Sequence, residues 1–105
     1  MNPGNNTYEG FAYRLDTLDQ SYQALLDRNY DHPEAKLEIS ATRTREYESV
    51  IADMADAFYC DRTLPQELFD ELMHEVLQMI HESKRYTCAL FTQVYPDLAE
   101  KMRRP

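Results

Sequence analysis

The sequence predicts an all-α protein, a three- to four-helix antiparallel bundle that ends in a short C-terminal helix. Apolar residues recur at steps of three and four in successive segments, which is the spacing of one helical face. Glycine is rare, with 2 residues in 105, whereas β-sheet proteins need glycine in their tight turns. The connections between the segments are short, which makes neighbouring helices antiparallel.

The first predicted helix runs from Tyr8 to Arg28. Its apolar stripe consists of Phe11, Leu15, Leu18, Tyr22 and Leu25. Residues 1–7 contain no apolar run, and we predict that they are disordered. At this length, residues 8–105 are expected to form a single helical domain.

The second predicted helix runs from Pro33 to about Cys60, and its first half is ambiguous. Proline fits the first helical turn, and Asp31 is predicted to cap the helix together with Glu34. Residues 36–42 alternate between polar and apolar, which is a strand signal. Because the chain offers no second strand to pair with, helix is the favoured interpretation of this segment.

The third predicted helix follows a boundary at Pro65, where Thr63 and Gln66 are predicted to form a capping box. Its wide apolar stripe consists of Leu68, Phe69, Leu72, Met73, Val76, Leu77, Met79 and Ile80. The pattern resumes after Lys84, so the helix either continues to Tyr95 or kinks near Lys84. A last short helix is predicted over 97–103.

The acidic residues are concentrated in the middle of the chain. The net charge is −8, and residues 46–82 contain ten acidic side chains against Arg62 alone. Such a surface repels nucleic acid and anionic membranes and attracts a basic protein surface. No apolar run is long enough to span a bilayer, and no secretory signal is present, so we expect a cytoplasmic protein. Two thiols at distant points of a helical hairpin, Cys60 and Cys88, are expected to stay reduced.

These observations predict a small acidic protein-binding module without catalytic activity or cofactor, a regulator or inhibitor that docks on a basic partner surface. A nucleic-acid-binding protein is one class of partner that presents such a surface. The predicted contact residues are Glu46, Glu48, Asp53, Asp56, Tyr59, Asp61, Glu67, Asp70, Glu71, Glu75 and Tyr86, with Leu64 as a further anchor. In composition alone, the chain is similar to small acidic proteins of phages and mobile elements that inhibit nucleic-acid enzymes.

Two alternative functions remain open from the sequence. A homodimeric structural bundle would cover the wide apolar stripe of the third helix. A metal-binding bundle would use Glu71 and His74, which form a Glu-x-x-His pair, together with His81. The chain contains no nucleophile motif, P-loop, dinucleotide fingerprint or zinc pattern, so an enzyme is not the favoured interpretation.

Overall fold

The computed structural model describes residues 6–61 and 63–103, and it confirms the all-α prediction. In these residues there are helices and no strands. The four helices in chain order are α1 (Tyr8–Arg28), α2 (Pro33–Cys60), α3 (Gln66–Val94) and α4 (Pro96–Arg103). None of the described helices is both long enough and apolar enough to cross a membrane.

Helix α1 begins with a side-chain cap that the sequence prediction placed in the disordered start. The Thr7 hydroxyl accepts a hydrogen bond from the backbone N–H of Gly10 at 3.0 Å, which satisfies one of the unpaired donors of the first turn. The ordered part of the chain therefore begins before Tyr8. The rest of the predicted disordered start, residues 1–5, lies outside the described residues.

Helices α1 and α2 form an antiparallel pair. Early α1 meets late α2 where Arg14 contacts Asp53, and later α1 meets earlier α2 where Asp19 accepts from the Tyr47 hydroxyl. The turn between them ends at His32, which caps α2 without a side-chain hydrogen bond. The predicted Asp31 cap is therefore wrong, because the turn places the cap one residue later.

Helices α2 and α3 are also antiparallel, and the ambiguous first half of α2 is helical. Its buried residues are Ser40 and Thr44, one helical turn apart, and both face α3. Because these side chains are hydroxyls, counting apolar residues hides the helical period of this segment. Most of residues 36–42 are half-buried beside this polar contact. Their alternation of polar and apolar side chains reflects this half-burial and not a strand.

The main core lies where α1, the second half of α2 and the first half of α3 meet. It consists of Phe11, Leu15, Tyr47, Val50, Met54, Phe69, Leu72, Val76 and Ile80. The rings of Phe11 and Phe69 meet edge to face, with centroids 6.0 Å apart. This contact ties the start of α1 to the start of α3.

The predicted stripe of α1 is wrong in its last member. Leu26 is buried, whereas Leu25 is 37% exposed. Leu26 lies eleven residues after Leu15, which is about three helical turns, so it returns to the same face of the helix. Leu25 falls one position short of that face.

Helix α3 runs without a break from Gln66 to Val94, which resolves the predicted choice in favour of continuity. The predicted capping box is wrong, because the Thr63 hydroxyl donates to Asp61 at 2.6 Å and Pro65 occupies the cap position. The chain turns at Tyr95, and α4 packs against the end of α3 through the buried Ala99.

Candidate protein-binding site

The predicted acidic residues do not share one face of the molecule. Helices α2 and α3 turn their buried stripes toward each other, so their polar backs point in opposite directions. The acids of α2 lie on two sides of that helix, Glu48 toward Lys84 of α3 and the others toward α1, and most acids of α3 lie on its outer side, away from both groups. The prediction of a single acidic face over 46–82 is wrong for this reason.

Two of the α2 acids are paired with bases. Asp53 Oδ2 lies 2.7 Å from an Arg14 guanidinium nitrogen of α1. Glu48 Oε2 lies 3.9 Å from the Lys84 ammonium of α3. Pairing reduces the negative potential that these carboxylates offer to a basic partner.

The remaining α2 acids lie beside α1. Glu46 is half-buried, and burial first and the Glu46 charge second raise the pKa of the Tyr22 hydroxyl above its usual value. Asp56 lines an open cleft of about 740 Å³ between the two helices, together with Gly10, Arg14 and Cys60. Both carboxylates thus border the α1–α2 groove and lie away from the acids of α3.

Four glutamates of α3 form a continuous row that we call the acidic stripe: Glu67, Glu71, Glu75 and Glu82. Their spacing of four, four and seven keeps them on one side of the helix. All four are exposed, and the row is about 22 Å long at 1.5 Å per residue. Across 6–61 and 63–103, no lysine or arginine forms an ion pair with any of them.

The acidic stripe extends further than helix stability requires. A carboxylate in the first turn, such as Glu67, interacts favourably with the positive end of the helix dipole. That effect fades beyond the first turn, so it does not account for Glu75 or Glu82. The Glu82 carboxylate is held by a hydrogen bond from the Gln78 amide at 3.0 Å. Glu82 was absent from the predicted contact residues. Its spacing of seven residues from Glu75 would have placed it on the same side of the helix.

The predicted aromatic anchors lie on different sides of α3. Tyr86 is half-buried and follows Glu82 by one helical turn, so it extends the side that carries the acidic stripe. The Arg43 guanidinium lies 5.8 Å from the centre of its ring, a cation–π contact. Tyr59 is exposed near the end of α2, on the side of the layer that carries Glu48.

The predicted anchor Leu64 is half-buried and packs against the main core, so its side chain serves the fold. Asp61 lies in the same connection between α2 and α3. Side-chain and backbone hydrogen bonds from Thr63 lower the pKa of the Asp61 carboxyl. The connection is therefore organised by local contacts, and it carries an exposed carboxylate six residues before Glu67.

The candidate metal ligands do not assemble into a site. Within the described part of the chain, no group of three or more His, Cys, Asp or Glu side chains is placed to hold a metal ion. Nδ1 of His74 lies 2.8 Å from the carbonyl oxygen of Asp70, one turn earlier in the same helix. A carbonyl only accepts, so Nδ1 is the donor. Both cysteines are exposed free thiols.

Comparison with known proteins adds no further assignment. The chain matches no protein-family model, no curated protein and no solved structure.

Proposed function

We propose that this protein is a small binding module that docks the acidic stripe of α3 on a basic surface of a partner protein. The observation that carries the proposal is the row of four exposed glutamates on one helical side, none of which forms an ion pair with a lysine or arginine of residues 6–61 and 63–103. Asp61, in the connection that precedes α3, adds negative charge before the N-terminal end of the stripe. Tyr86 closes the C-terminal end with a half-buried ring.

The charge arrangement favours a protein partner with a row of lysines or arginines. The stripe places carboxylates about 6 Å apart along the helix where they are four residues apart. Arginine and lysine pair with carboxylates through charge-assisted hydrogen bonds. A surface of this kind is also what a nucleic-acid-binding protein presents to phosphates, so such proteins are the first partners to test.

The stripe suits recognition because it lies on a rigid element. All four glutamates project from the continuous helix α3, whose opposite side is anchored in the main core by Phe69, Val76 and Ile80. A preorganised row loses little backbone entropy on binding. The partner therefore meets fixed charges, which increase the association rate as well as the affinity.

The experiment compares two glutamate pairs with the same helical spacing. Glu71→Gln/Glu75→Gln removes two charges from the acidic stripe. Glu34→Gln/Glu38→Gln removes two exposed charges from the first turns of α2, far from the stripe. Proteins from the native host are captured on each variant, and the affinity of the retained partner is then measured.

We expect the stripe variant to bind the partner at least about tenfold more weakly than the wild type, which corresponds to about 1.4 kcal/mol. The α2 control should stay close to the wild type because its acidic stripe is intact, although its net charge is the same as that of the stripe variant. Equal losses in both variants would show that only total charge matters. Release of the partner by added duplex DNA or RNA would identify its surface as a nucleic-acid site.

A further inference from the structure

One face of the α2–α3 layer is apolar and uncovered, and we call it the open face. It consists of Ala52, Ala55 and Tyr59 of α2 with Met73 and Leu77 of α3. The contact of Glu48 with Lys84 shows that these two helical stripes lie side by side. Helix α1 packs on another side of α2, where Arg14 reaches Asp53.

The open face is exposed where an isolated helical bundle would carry polar side chains. Leu77 is 52% exposed, and Ala52 and Ala55 are exposed as well. Met73 is half-buried against the main core. The small alanines leave room for another helix to approach α2 closely.

Helix α4 has an uncovered apolar side of its own. Leu98 and Met102 lie one turn apart, and Met102 is 72% exposed. Together with Cys88, Phe91 and Ala99, Met102 lines an apolar groove of about 340 Å³ between α3 and α4. Cys88 lies eleven residues after Leu77, so α4 packs on the same side of α3 as the open face.

The molecule is also more extended than one compact chain of this size. The radius of gyration is 16.3 Å, against about 13 Å expected for 105 residues. The accessible surface is 7473 Å², about 1,300 Å² more than the mean for this mass. A stable interface needs about 800 Å² from each partner, so the excess is sufficient for one.

We propose that a second copy of this chain covers the open face, with the two α3 helices antiparallel about a twofold axis. Each α4 then lies between the α2–α3 layers of the two copies. Its outer side contacts Leu77, Ala52 and Ala55 of the other copy. The twofold symmetry repeats the contact, so both open faces and both α4 helices are buried together.

The charges on the two surfaces favour this arrangement. The last turn of α4 carries Lys101 and Arg103. The open face is bordered by Asp70, seven residues before Leu77, which forms no ion pair within the described residues, whereas Glu48 on its other border is paired with Lys84. An antiparallel pair brings the basic end of each α4 toward the acidic border of the other copy, whereas a parallel pair brings like charges together.

The first test measures the mass of the full-length chain in solution by light scattering over a range of concentrations. The wild type should give about 25 kDa, twice the chain mass of 12.4 kDa. Leu77→Glu and Met102→Glu should each shift the mass toward one chain at the same concentration. Met102 is so exposed that its replacement leaves the fold of the monomer intact, which circular dichroism checks.

The matched control is Leu68→Glu, which places the same charge at a leucine of α3 that is 41% exposed but lies outside the open face. It should remain a dimer. A wild type of one-chain mass at high concentration overturns the proposal. Dissociation by Leu68→Glu to the same degree, or a dimer that survives both open-face variants, overturns it as well.

The second test examines the position of α4 with cysteine cross-links. In a Cys60→Ser/Cys88→Ser background, chains carrying Ala55→Cys are mixed with chains carrying Leu98→Cys and oxidised. A disulfide between the two kinds of chain is expected, because a disulfide requires Cα atoms within about 7 Å. A dimer without this cross-link would show that α4 does not cover the partner's open face.

This proposal is independent of the acidic stripe, which lies on another side of α3. The Glu71→Gln/Glu75→Gln variant should stay dimeric, and Met102→Glu should keep a complete stripe in each monomer. Failure of one proposal is therefore distinguishable from failure of the other.

Discussion

The two halves of α3 differ in what they bury and in what they expose. Before Ser83, the buried side is aromatic and aliphatic, and the outer side carries the acidic stripe. From Ser83 onward, hydroxyl groups take over part of the interior, and the first outer residues are Lys84 and Arg85. One uninterrupted helix thus contains an apolar, acidic half and a half that is more polar inside and basic outside.

The polar half is held by a layer of hydroxyl groups between α2 and α3. The Thr44 and Ser83 hydroxyl oxygens are 2.6 Å apart, and those of Ser40 and Thr87 are 2.7 Å apart. The Arg43 Nε–H also donates to the Ser83 hydroxyl at 3.1 Å. Each side-chain nitrogen and oxygen buried in the described residues has a partner.

This difference separates two sources of stability along the same helix pair. The first half gains stability from the burial of large apolar side chains, which is proportional to the area removed from water. The second half depends on satisfied hydrogen bonds, which contribute little individually but are costly to break. Truncations should therefore be most damaging in the first half.

The largest effect is expected at Phe69, which is buried against Phe11 and Phe58. Phe69→Ala should lower the free energy of unfolding by about 3–5 kcal/mol, because the substitution leaves a cavity. Urea unfolding followed by circular dichroism measures the change. A loss smaller than that of the hydroxyl variants below would contradict the proposed difference between the halves.

A smaller and non-additive effect is expected in the hydroxyl layer. Thr44→Val or Ser83→Ala alone should cost about 1–1.5 kcal/mol, since each removes one buried hydrogen bond while the remaining hydroxyl keeps another partner, the Ser40 carbonyl for Thr44 and the Arg43 Nε–H for Ser83. The double variant should cost less than the sum, because both partners of the 2.6 Å contact are then removed. Strict additivity in urea unfolding would show that the two hydroxyl groups are not coupled.

Alkaline pH should destabilise the half of the α2–α3 pair that α1 covers. Burial, with a smaller contribution from the Asp19 charge, raises the pKa of the Tyr47 hydroxyl to about 12. The unfolded chain ionises Tyr47 near pH 10, so its contribution is complete below that pH and is lost between pH 10 and 12. At pH 11 the loss should be about 1 kcal/mol.

Unfolding measured from pH 9 to pH 11.5 tests this dependence. Tyr47→Phe should make stability fall less steeply with pH, because it removes the group that ionises. An unchanged slope in Tyr47→Phe would assign the pH effect to other tyrosines.

The smallest effect is expected for the exposed pair between Arg14 and Asp53. Their side chains are 38% and 50% exposed, so solvent screens the attraction. Arg14→Gln should lower the free energy of unfolding by less than about 1 kcal/mol at low salt, and by still less in 0.5 M salt. A loss comparable to that of the hydroxyl variants would show that α1 is held chiefly by charge.

The sequence was sufficient for the helices because their apolar residues repeat with the helical period. Residues 36–44 were ambiguous because the side chains that contact α3 are the hydroxyls of Ser40 and Thr44, which a search for apolar periodicity does not register. The predicted capping box at the start of α3 was wrong because a local contact decides the cap. The Thr63 hydroxyl bonds to Asp61 and not to the start of α3.

The candidate site was predictable only in part. Composition identified the acidic segment, and Glu67, Glu71 and Glu75 proved to share a side of α3. The sequence did not show that the acids of α2 lie toward α1 and toward Lys84, away from the acidic stripe, because that depends on how the helices pack. Nor did it show that Arg14 and Lys84, both distant in the chain, would pair with Asp53 and Glu48.

The most direct measurement for the acidic stripe is the salt dependence of partner binding, compared between the wild type and Glu71→Gln/Glu75→Gln. The wild-type affinity should fall steeply as salt rises from 50 to 300 mM, which shortens the screening length about 2.4-fold, and the variant should show a distinctly shallower slope. Equal slopes, with the variant binding as tightly as the wild type, would contradict docking through the stripe.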